Sequence, residues 1–142
     1  MKSNRDILAS VLKTAQMGQT GIRAVLPYAV KTEFKKALTD QKREYDAIEK
    51  EAYRIAASRS WELEELDPIS KTMSNTCARG MLMFGRTDSR IAAMMINGNT
   101  RGMIKGLKNL HHSSGQDNAV SLLANKLLAC EEENIRSMQG FV

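Results

Sequence analysis

The chain has 142 residues, the usual length of one domain, and a chain of this length buries enough surface to fold without a disulfide or a structural metal. It carries 21 Lys and Arg against 16 Asp and Glu, a formal net charge of +5, which raises the question of nucleic-acid binding. Two prolines, three phenylalanines and nine methionines, with abundant Ala, Leu, Lys and Glu, argue against a sheet fold. We therefore expect one all-α domain over residues 1–142.

The sequence also argues against a membrane or secreted protein. No apolar run reaches the length of a transmembrane helix, and charges interrupt the N-terminal segment where a signal peptide would be apolar. Cys77 and Cys130 lack the spacing of a zinc site and fall at core-facing helical positions, which is typical of reduced, buried thiols. We expect a cytoplasmic protein that does not enter a membrane.

Two helices are predicted in the first half of the chain. The first begins at Asn4, after Ser3, and runs to about Leu26. The second runs from about Val30 to Ser58. Along both helices the apolar residues recur at spacings of three and four, which predicts a continuous packed seam between them.

A third helix is predicted to begin at Pro68, because Asp67 is a good N-cap and proline is favoured at the first helical position. Its apolar face shifts in phase from Ala92 onward, where Met103 and Leu107 mark the new face. The shift predicts a break at 85–89, and one continuous kinked helix over 68–111 is the alternative.

At this break, Gly85 can end one helix and Thr87 can cap the next. The last helix is predicted from near Ser114 to close to the C-terminus. The expected fold is an up-and-down four-helix bundle with short loops, or a five-helix bundle if the break is complete.

Three glycines, Gly98, Gly102 and Gly106, recur every four residues within this region. Each glycine inside a helix is less favourable than alanine by about 1 kcal/mol, so something is expected to pack closely against them. We expect a tight helix crossing within the chain, and an oligomer contact or a ligand groove is the alternative.

One acidic residue occupies a position that bundles normally give to leucine. Glu131 lies at the centre of the apolar stripe of the last helix, whereas Glu132 and Glu133 face water. A charge in an apolar face needs a partner. Candidates are a tyrosine and three amides at inward helical positions, namely Gln19, Gln41, Tyr45 and Asn134.

These side chains predict a hydrogen-bonded network in the core. Gln19 and Gln41 lie within about one helical turn of the same height, so their amides can meet. Glutamine amides and the Tyr45 hydroxyl can satisfy the Glu131 carboxylate without a metal. Such a network would fix the register of otherwise interchangeable apolar helices.

Two helical patterns carry a family resemblance. The last helix contains Glu131-Glu132-Glu133-Asn134-Ile135, preceded by the leucine-rich stretch 121–128. The second helix contains the pattern Leu38-x-x-Gln41-x-x-x-Tyr45. With these patterns the chain resembles the small ferritin-like bundle proteins of bacteria, in particular an uncharacterised group of them.

The resemblance implies a four-helix bundle, and in its metal-binding members a pair of iron or manganese ions held by inward carboxylates and two Glu-x-x-His motifs. This chain departs from that pattern, because His111 and His112 sit at a helix end with no glutamate three residues before His111. We expect no cofactor. The alternative is iron or manganese at an incomplete site of four acids: Glu131, Asp88, Glu44 and Glu49.

The positive charge does not by itself predict a nucleic-acid-binding protein. Acidic residues alternate with the lysines of the second helix, which is typical of a solvated face with ion pairs. The sequence contains no arginine-glycine tract and no recognisable DNA-binding motif, so only weak, non-specific backbone binding is left.

The sequence therefore predicts a non-catalytic structural or interaction protein, whose partner is a second copy of the chain or another protein. Metal binding is the alternative function, and non-specific nucleic-acid binding is the third.

Overall fold

The computed structural model describes residues 2–65, 85–113 and 117–142. These residues form four long helices: α1 Asn4–Val25, α2 Thr32–Ser58, α3 Asp88–His111 and α4 Asn118–Gln139. A short 3-10 helix, Leu26–Tyr28, follows α1. The helices pack against one another as an all-α four-helix bundle, so the predicted fold class is confirmed. Among the described residues, no helix has both the length and the apolar composition that crossing a membrane requires.

Local side-chain caps set the helix starts, as the sequence predicts for two of them. The Ser3 hydroxyl accepts a hydrogen bond from the Asp6 amide at 3.1 Å, and the Asp6 carboxylate accepts one from the Ser3 amide at 3.2 Å, which starts α1. Thr87 caps α3 by accepting from the Arg90 amide. Gly85 has φ +152°, a backbone conformation that L side chains rarely adopt.

The other predicted boundaries have different outcomes. The helix expected to begin at Pro68, and with it Cys77, lies outside the described residues. The last helix begins at Asn118, later than the predicted start near Ser114. Its cap is Asp117. The Asp117 carboxylate accepts hydrogen bonds from the backbone amides of Ala119 and Val120, which have no partner within the helix.

The helices surround the core in the order α1, α2, α4, α3. The most extensive contacts are within the α1–α2 pair and the α3–α4 pair, and α2 also packs against α4 and α1 against α3. Contacts between α1 and α4 cross the middle of the bundle. All four helices therefore share one core.

One end of the bundle, here called the basal end, joins the start of α1, the end of α2, the end of α3 and the start of α4. The Lys2 amide donates a hydrogen bond to the His112 carbonyl at 2.8 Å. Arg59, just after α2, forms an ion pair with Asp117 at 2.8 Å. Helices α1 and α4 therefore run away from the basal end, and α2 and α3 run towards it.

Contacts at the opposite end agree with these directions. The Asp88 carboxylate accepts hydrogen bonds from the amides of Val30 and Lys31 at 2.8 and 2.9 Å, which joins the starts of α2 and α3. The rings of Phe34 and Phe141 lie 4.9 Å apart and join the start of α2 to the end of α4. The predicted up-and-down order holds within each helix pair, whereas α2 and α3 run in the same direction.

The inward face of α3 differs from the predicted one. It keeps one phase, with spacings of four, three, four and three, through Met95, Asn99, Gly102, Gly106 and Asn109. Leu107, expected on the apolar face, is 41% exposed. Ile96 and Leu110, also expected on the apolar face, are partly buried against the core. The hydrophobic pattern therefore placed the face beside the true one, because the inward positions after Met95 are glycine or asparagine, which carry no apolar signal.

The Asp88 contacts give a first test of this arrangement. We expect Asp88→Ala to lower the free energy of unfolding by about 1 to 2 kcal/mol, because two backbone amides at the start of α2 lose their acceptor. Urea unfolding followed by far-UV circular dichroism measures the change. Glu132→Ala, at an exposed position on α4, is the control, with an expected change below about 0.5 kcal/mol. Equal effects of the two substitutions would contradict the assignment of Asp88.

Candidate functional site

Three side chains from three helices form a polar layer across the middle of the core. The Tyr45 hydroxyl oxygen lies 3.0 Å from Glu131 Oε1 and 3.1 Å from Asn99 Oδ1. Tyr45 and Glu131 are each 2% exposed and Asn99 is 3% exposed. Each of the three residues lies roughly four helical turns from the basal end of its helix, so regular helix geometry brings them to one height.

The single hydrogen atom of the Tyr45 hydroxyl limits how the hydrogen bonds of this polar layer can be arranged. A tyrosine hydroxyl has a single hydrogen to donate, so Tyr45 cannot donate to both Asn99 and Glu131. Both contacts are satisfied if Glu131 is protonated and donates to Tyr45, which then donates to Asn99. They are also satisfied if the Asn99 amide is turned and donates to Tyr45, which then donates to a charged Glu131.

Burial favours the protonated form of Glu131. Loss of solvent raises the pKa of Glu131 to about 7, against the opposite effect of the Tyr45 hydrogen bond. The second carboxyl oxygen of Glu131, Oε2, has no hydrogen-bond partner among the described residues, which further disfavours a full charge there. Burial and the nearby Glu131 charge also raise the pKa of Tyr45, so Tyr45 remains a neutral donor.

Glycines on the facing helices make room for the polar layer. A Cβ atom at Gly18 would lie 2.5 Å from the Tyr45 ring, and one at Gly102 would lie 2.9 Å from Glu131 Oε1. Gly106 packs closely on Leu128 of α4 in the same way, which supports the predicted helix crossing. No atom of the described residues lies within 4 Å of the Cβ position of Gly98, so Gly98 takes no part in the crossing of these helices.

Sequence reasoning did not identify the role of Gly18 or of Asn99. The available signal for Gly18 was its position beside Gln19, at the middle of an otherwise good helix, where glycine is unfavourable. Asn99 was not recognised as an inward residue because the inward positions that follow it are glycine or asparagine, which give no apolar signal.

The remaining predicted network residues are buried in the same region. Gln19, Gln41 and Asn134 are at most 5% exposed. The side-chain amide of Gln41 forms no hydrogen bond with a described residue, and neither does Gln19 Nε2, so the expected contact between the two glutamines is not formed. Asn134 donates to the Cys130 sulfur at 3.5 Å.

The structure does not bring the four candidate metal-binding acids to one site. Asp88 binds the start of α2 and lies eleven residues before Asn99, about 16 Å away along α3. Glu49 accepts a hydrogen bond from the Gln16 amide at 3.0 Å. No group of three His, Cys, Asp or Glu side chains within 2–65, 85–113 and 117–142 is arranged to hold a metal ion.

Glu44, the fourth candidate acid, accepts a hydrogen bond from the Cys130 thiol at 2.7 Å. Burial raises the pKa of Cys130, and the contact with Glu44 raises it further. The thiol therefore stays protonated, which makes it a poor metal ligand and a poor nucleophile. Around Glu131 the remaining donors are neutral amides and a phenol, which do not fit iron or manganese.

A second feature lies at the basal end, between α3 and the N-terminal segment. It is a cavity of about 460 Å³, here called the basic cavity, whose charged lining residues are all Lys or Arg: Lys2, Arg101, Lys105 and Lys108, with His112 beside them. Ile104 and Asn109 complete the lining. No acidic residue contributes to it among the described residues.

Backbone and side-chain contacts position this lining. Arg101, Lys105 and Lys108 follow one face of α3 at spacings of four and three. The Lys2 backbone pairs with the end of α3 through its hydrogen bond to the His112 carbonyl. Beneath them, the buried Asn109 amide donates to the Ser10 hydroxyl at 2.7 Å, which ties α3 to α1.

The basic residues of the cavity repel one another. Partial burial lowers the pKa of Lys105, and the charges of Lys13 and Lys2 lower it further. Arg101, Lys105 and Lys108 form no ion pair with any residue in the described parts of the chain. The α3 side of the cavity is therefore a concentration of positive charge that forms no ion pair with the described residues.

Sequence reasoning did not identify the basic cavity, although part of its signal was present. After Asp88, helix α3 contains no acidic residue, whereas the basic residues of α2 alternate with acidic ones. The contribution of Lys2 comes from the other end of the chain and could not be inferred from local spacing.

Comparison of the chain with protein-family models, with curated proteins and with solved structures finds no match. The polar layer and the basic cavity are therefore the features from which a function can be inferred. Their chemistry differs, because the polar layer is enclosed and nearly neutral, whereas the basic cavity is open to solvent and charged.

The pKa of Glu131 predicts a pH-dependent stability. Because burial raises this pKa from 4.5 to about 7, folded Glu131 keeps a proton that the unfolded chain releases between these pH values. The contribution of Glu131 to stability is therefore full below pH 4.5 and is lost as pH rises towards 7, by roughly 3 kcal/mol in total.

Urea unfolding of Glu131→Gln and of the wild type across this pH range tests the shift. We expect the two proteins to be similar near pH 4.5 and the variant to be more stable by about 3 kcal/mol above pH 7, because glutamine keeps the shape and cannot ionise. The exposed Glu132→Gln is the control. A difference that does not change with pH would show that the folded protein does not raise the pKa of Glu131.

Two glycines on α3 provide a matched pair of substitutions. We expect Gly98→Ala to raise the free energy of unfolding by about 0.5 to 1 kcal/mol, since alanine favours the helix and nothing lies near the new methyl group. Gly102→Ala should instead lower it by about 1 to 2 kcal/mol, because the methyl group meets the buried Glu131 carboxyl group. Thermal and urea unfolding measure both. Equal stabilisation by the two alanines would contradict the close packing at Gly102.

Proposed function

We propose that this chain is a non-catalytic binding protein that holds an anionic partner in the basic cavity. The observation that carries the proposal is the lining of the cavity, which contains four Lys and Arg side chains together with His112 and, among the described residues, no acidic side chain. A concave surface of one charge sign concentrates ligands of the opposite sign and strengthens their binding. The interaction function expected from the sequence thereby gains a location and a chemical class of partner.

Basic residues near a helix end have a second explanation, which accounts for only part of the cavity. Lys108 and His111 lie in the last turn of α3, where positive charge complements the helix dipole. This effect decays within the last turn, and Arg101 and Lys105 lie before it. Their placement in the same cavity therefore supports ligand binding.

The exposed basic residues of α2 show the contrast. Lys36 pairs with Asp40 at 2.8 Å, and Lys42 pairs with Asp46 at 3.0 Å, each one helical turn away. Arg101 and Lys105 have no such acidic neighbour in the described parts of the chain. Within the described residues, the basal half of α3 therefore carries basic side chains without the acidic neighbours that α2 has.

The polar layer supports a non-catalytic function. A carboxyl group with a pKa near 7 is a candidate acid or base when it lies in a cleft. Glu131, however, lines neither the basic cavity nor the cavity beside it, and a facing glycine packs against its carboxyl group. A substrate would have no room next to it, so the polar layer is better suited to fixing the helix register.

We also propose that the bundle is ferritin-like and that the protein is cytoplasmic. Ferritin-like bundles, as in the bacterial group that the sequence resembles, contain one long crossover connection. Helices α2 and α3 run in the same direction and are separated by a stretch longer than the two hairpin turns, which supports this topology. Cys130 is a buried free thiol, as is common in a reducing compartment.

Two variants of equal net charge test the binding function. The cavity variant combines Arg101→Gln, Lys105→Gln and Lys108→Gln, and the control variant combines substitutions to Gln at three exposed residues of α2: Lys35, Arg43 and Lys50. We expect the cavity variant to bind a labelled heparin fragment at least about tenfold more weakly than the wild type, because the cavity loses three positively charged hydrogen-bond donors. The control should stay within about threefold.

Fluorescence anisotropy at one fixed salt concentration measures both affinities, since salt alone changes them strongly. Equal losses in the two variants would mean that heparin responds only to net charge, and the proposal would be wrong. Absence of wild-type binding to heparin and to every smaller anion would have the same meaning.

A further inference from the structure

The dimensions of the basic cavity limit what it can hold. Its volume of about 460 Å³ falls within the range of roughly 300 to 1,000 Å³ that is usual for small-molecule sites. From Arg101 to His112 the lining covers about 16 Å along α3. This length suits one compact ligand better than a nucleic-acid strand with its repeated phosphates.

The cavity is also bounded at the end of α3. There the N-terminal segment crosses the helix end, with the Lys2 amide hydrogen-bonded to the His112 carbonyl and Lys2 bridged to Ser113. A nucleic-acid strand bound along α3 would collide with the N-terminal segment at this point. The crossing also places the Lys2 side chain in the same cavity as the basic face of α3.

The arrangement of basic groups suits a doubly charged oxyanion. A guanidinium group binds two phosphate oxygens at once, and ammonium groups provide further charged donors. Arg101 provides the first kind of group, and Lys105 and Lys108 provide the second, on one face of α3. An anion bound in the cavity would also relieve the repulsion between Lys105 and Lys2, both of which line it.

A mixed-charge cavity next to this one provides an internal contrast. It shares Lys2 and Lys105 with the basic cavity, but its lining includes three acidic residues, Asp6, Glu62 and Glu64. One of them, Glu64, lies 3.7 Å from the Lys13 ammonium group. Anion binding is therefore favoured on the α3 side of Lys105 and not on the α1 side.

The uncharged part of the lining indicates what accompanies the anion. Ile104 is 47% exposed and lies between the basic residues of α3, so it offers an apolar contact of limited size. As far as the chain is described, the lining contains no Phe, Tyr or Trp, the side chains on which single-stranded nucleic acids stack their bases. Asn109, fixed by Ser10, keeps the cavity floor in place.

We infer that the basic cavity is a site for a small phosphomonoester, with the phosphate bound by Arg101, Lys105, Lys108 and Lys2 and the organic group placed against Ile104. The inference rests on the proposed function and names the ligand class of the same site. It distinguishes the binding of a compact phosphate ester from the binding of a polyanionic chain. The net charge of the protein alone would attract such a chain.

Isothermal titration calorimetry with the full chain and simple probes tests this inference. The probes are phenyl phosphate, inorganic phosphate, phenyl sulfate and a single-stranded oligonucleotide. We expect one phenyl phosphate per chain, bound at least about tenfold more tightly than phenyl sulfate, which carries one negative charge fewer. Phenyl phosphate should also bind more tightly than inorganic phosphate, because only the ester contacts Ile104.

Single substitutions assign the binding to the cavity. Lys105→Gln and Arg101→Gln should each weaken phenyl phosphate binding about tenfold, while Lys35→Gln on α2 should leave it within about twofold. All three residues are exposed, and thermal unfolding of each variant checks that the bundle remains folded. Equal weakening by Lys35→Gln would overturn the assignment.

The other outcomes separate this inference from the proposed function. If the oligonucleotide and heparin bind through the cavity and no small phosphate binds, the proposed function stands and the phosphomonoester inference is wrong. If inorganic phosphate binds as tightly as the ester, the site recognises free phosphate and the ester part is wrong. If no anionic probe binds, both the inference and the proposed function are wrong.

Discussion

The hydrogen bond between Tyr45 and Glu131 is the interaction on which the packing of the four helices depends. It joins α2 to α4, and Asn99 adds α3 through the same hydroxyl group. The remaining helix, α1, takes part through Gly18, since any side chain at this position would displace the Tyr45 ring. A slip of one residue in any helix would leave a carboxyl group unpaired in the core or place a Cβ atom against the ring. Each of these faults is more costly than shifting one apolar side chain past another, so the polar layer selects a single register.

Much of this could be predicted from the sequence, because helix periodicity places a side chain inward or outward from local spacing alone. Glu131 and Tyr45 were predicted to share the core on this basis, and Thr87 was predicted as a cap from its residue type. The inward face of α3 could not be predicted in this way, since Gly102 and Asn109 give no hydrophobic signal. The direction of α3 depends on contacts such as that of Asp88 with the start of α2, which join residues far apart in the chain.

The basic cavity could not be predicted because it also depends on residues that lie far apart in the chain. Lys2 is separated from Arg101 and Lys105 by most of the chain, and only the bundle brings the two segments together. Charge counting along one helix identified the lysines of α2, of which Lys36 and Lys42 form ion pairs with acidic neighbours. It passed over α3, where fewer basic residues are concentrated without acidic ones. In this protein, the number of charges in a segment is therefore less informative than the absence of opposite charges near them.

Helix α3 connects the two features. Gly102 on its inner side packs on Glu131, and Arg101, the preceding residue, lines the basic cavity. Beyond Met95, α3 contributes little apolar surface to the core, so its second half is held by glycine packing and by the Asn109 contact with Ser10. A ligand bridging Lys2 and the basic face of α3 would add a contact between this half of α3 and the N-terminal segment. Because a ligand that binds only the folded state stabilises it, occupancy of the basic cavity and retention of the polar layer depend on the same helix.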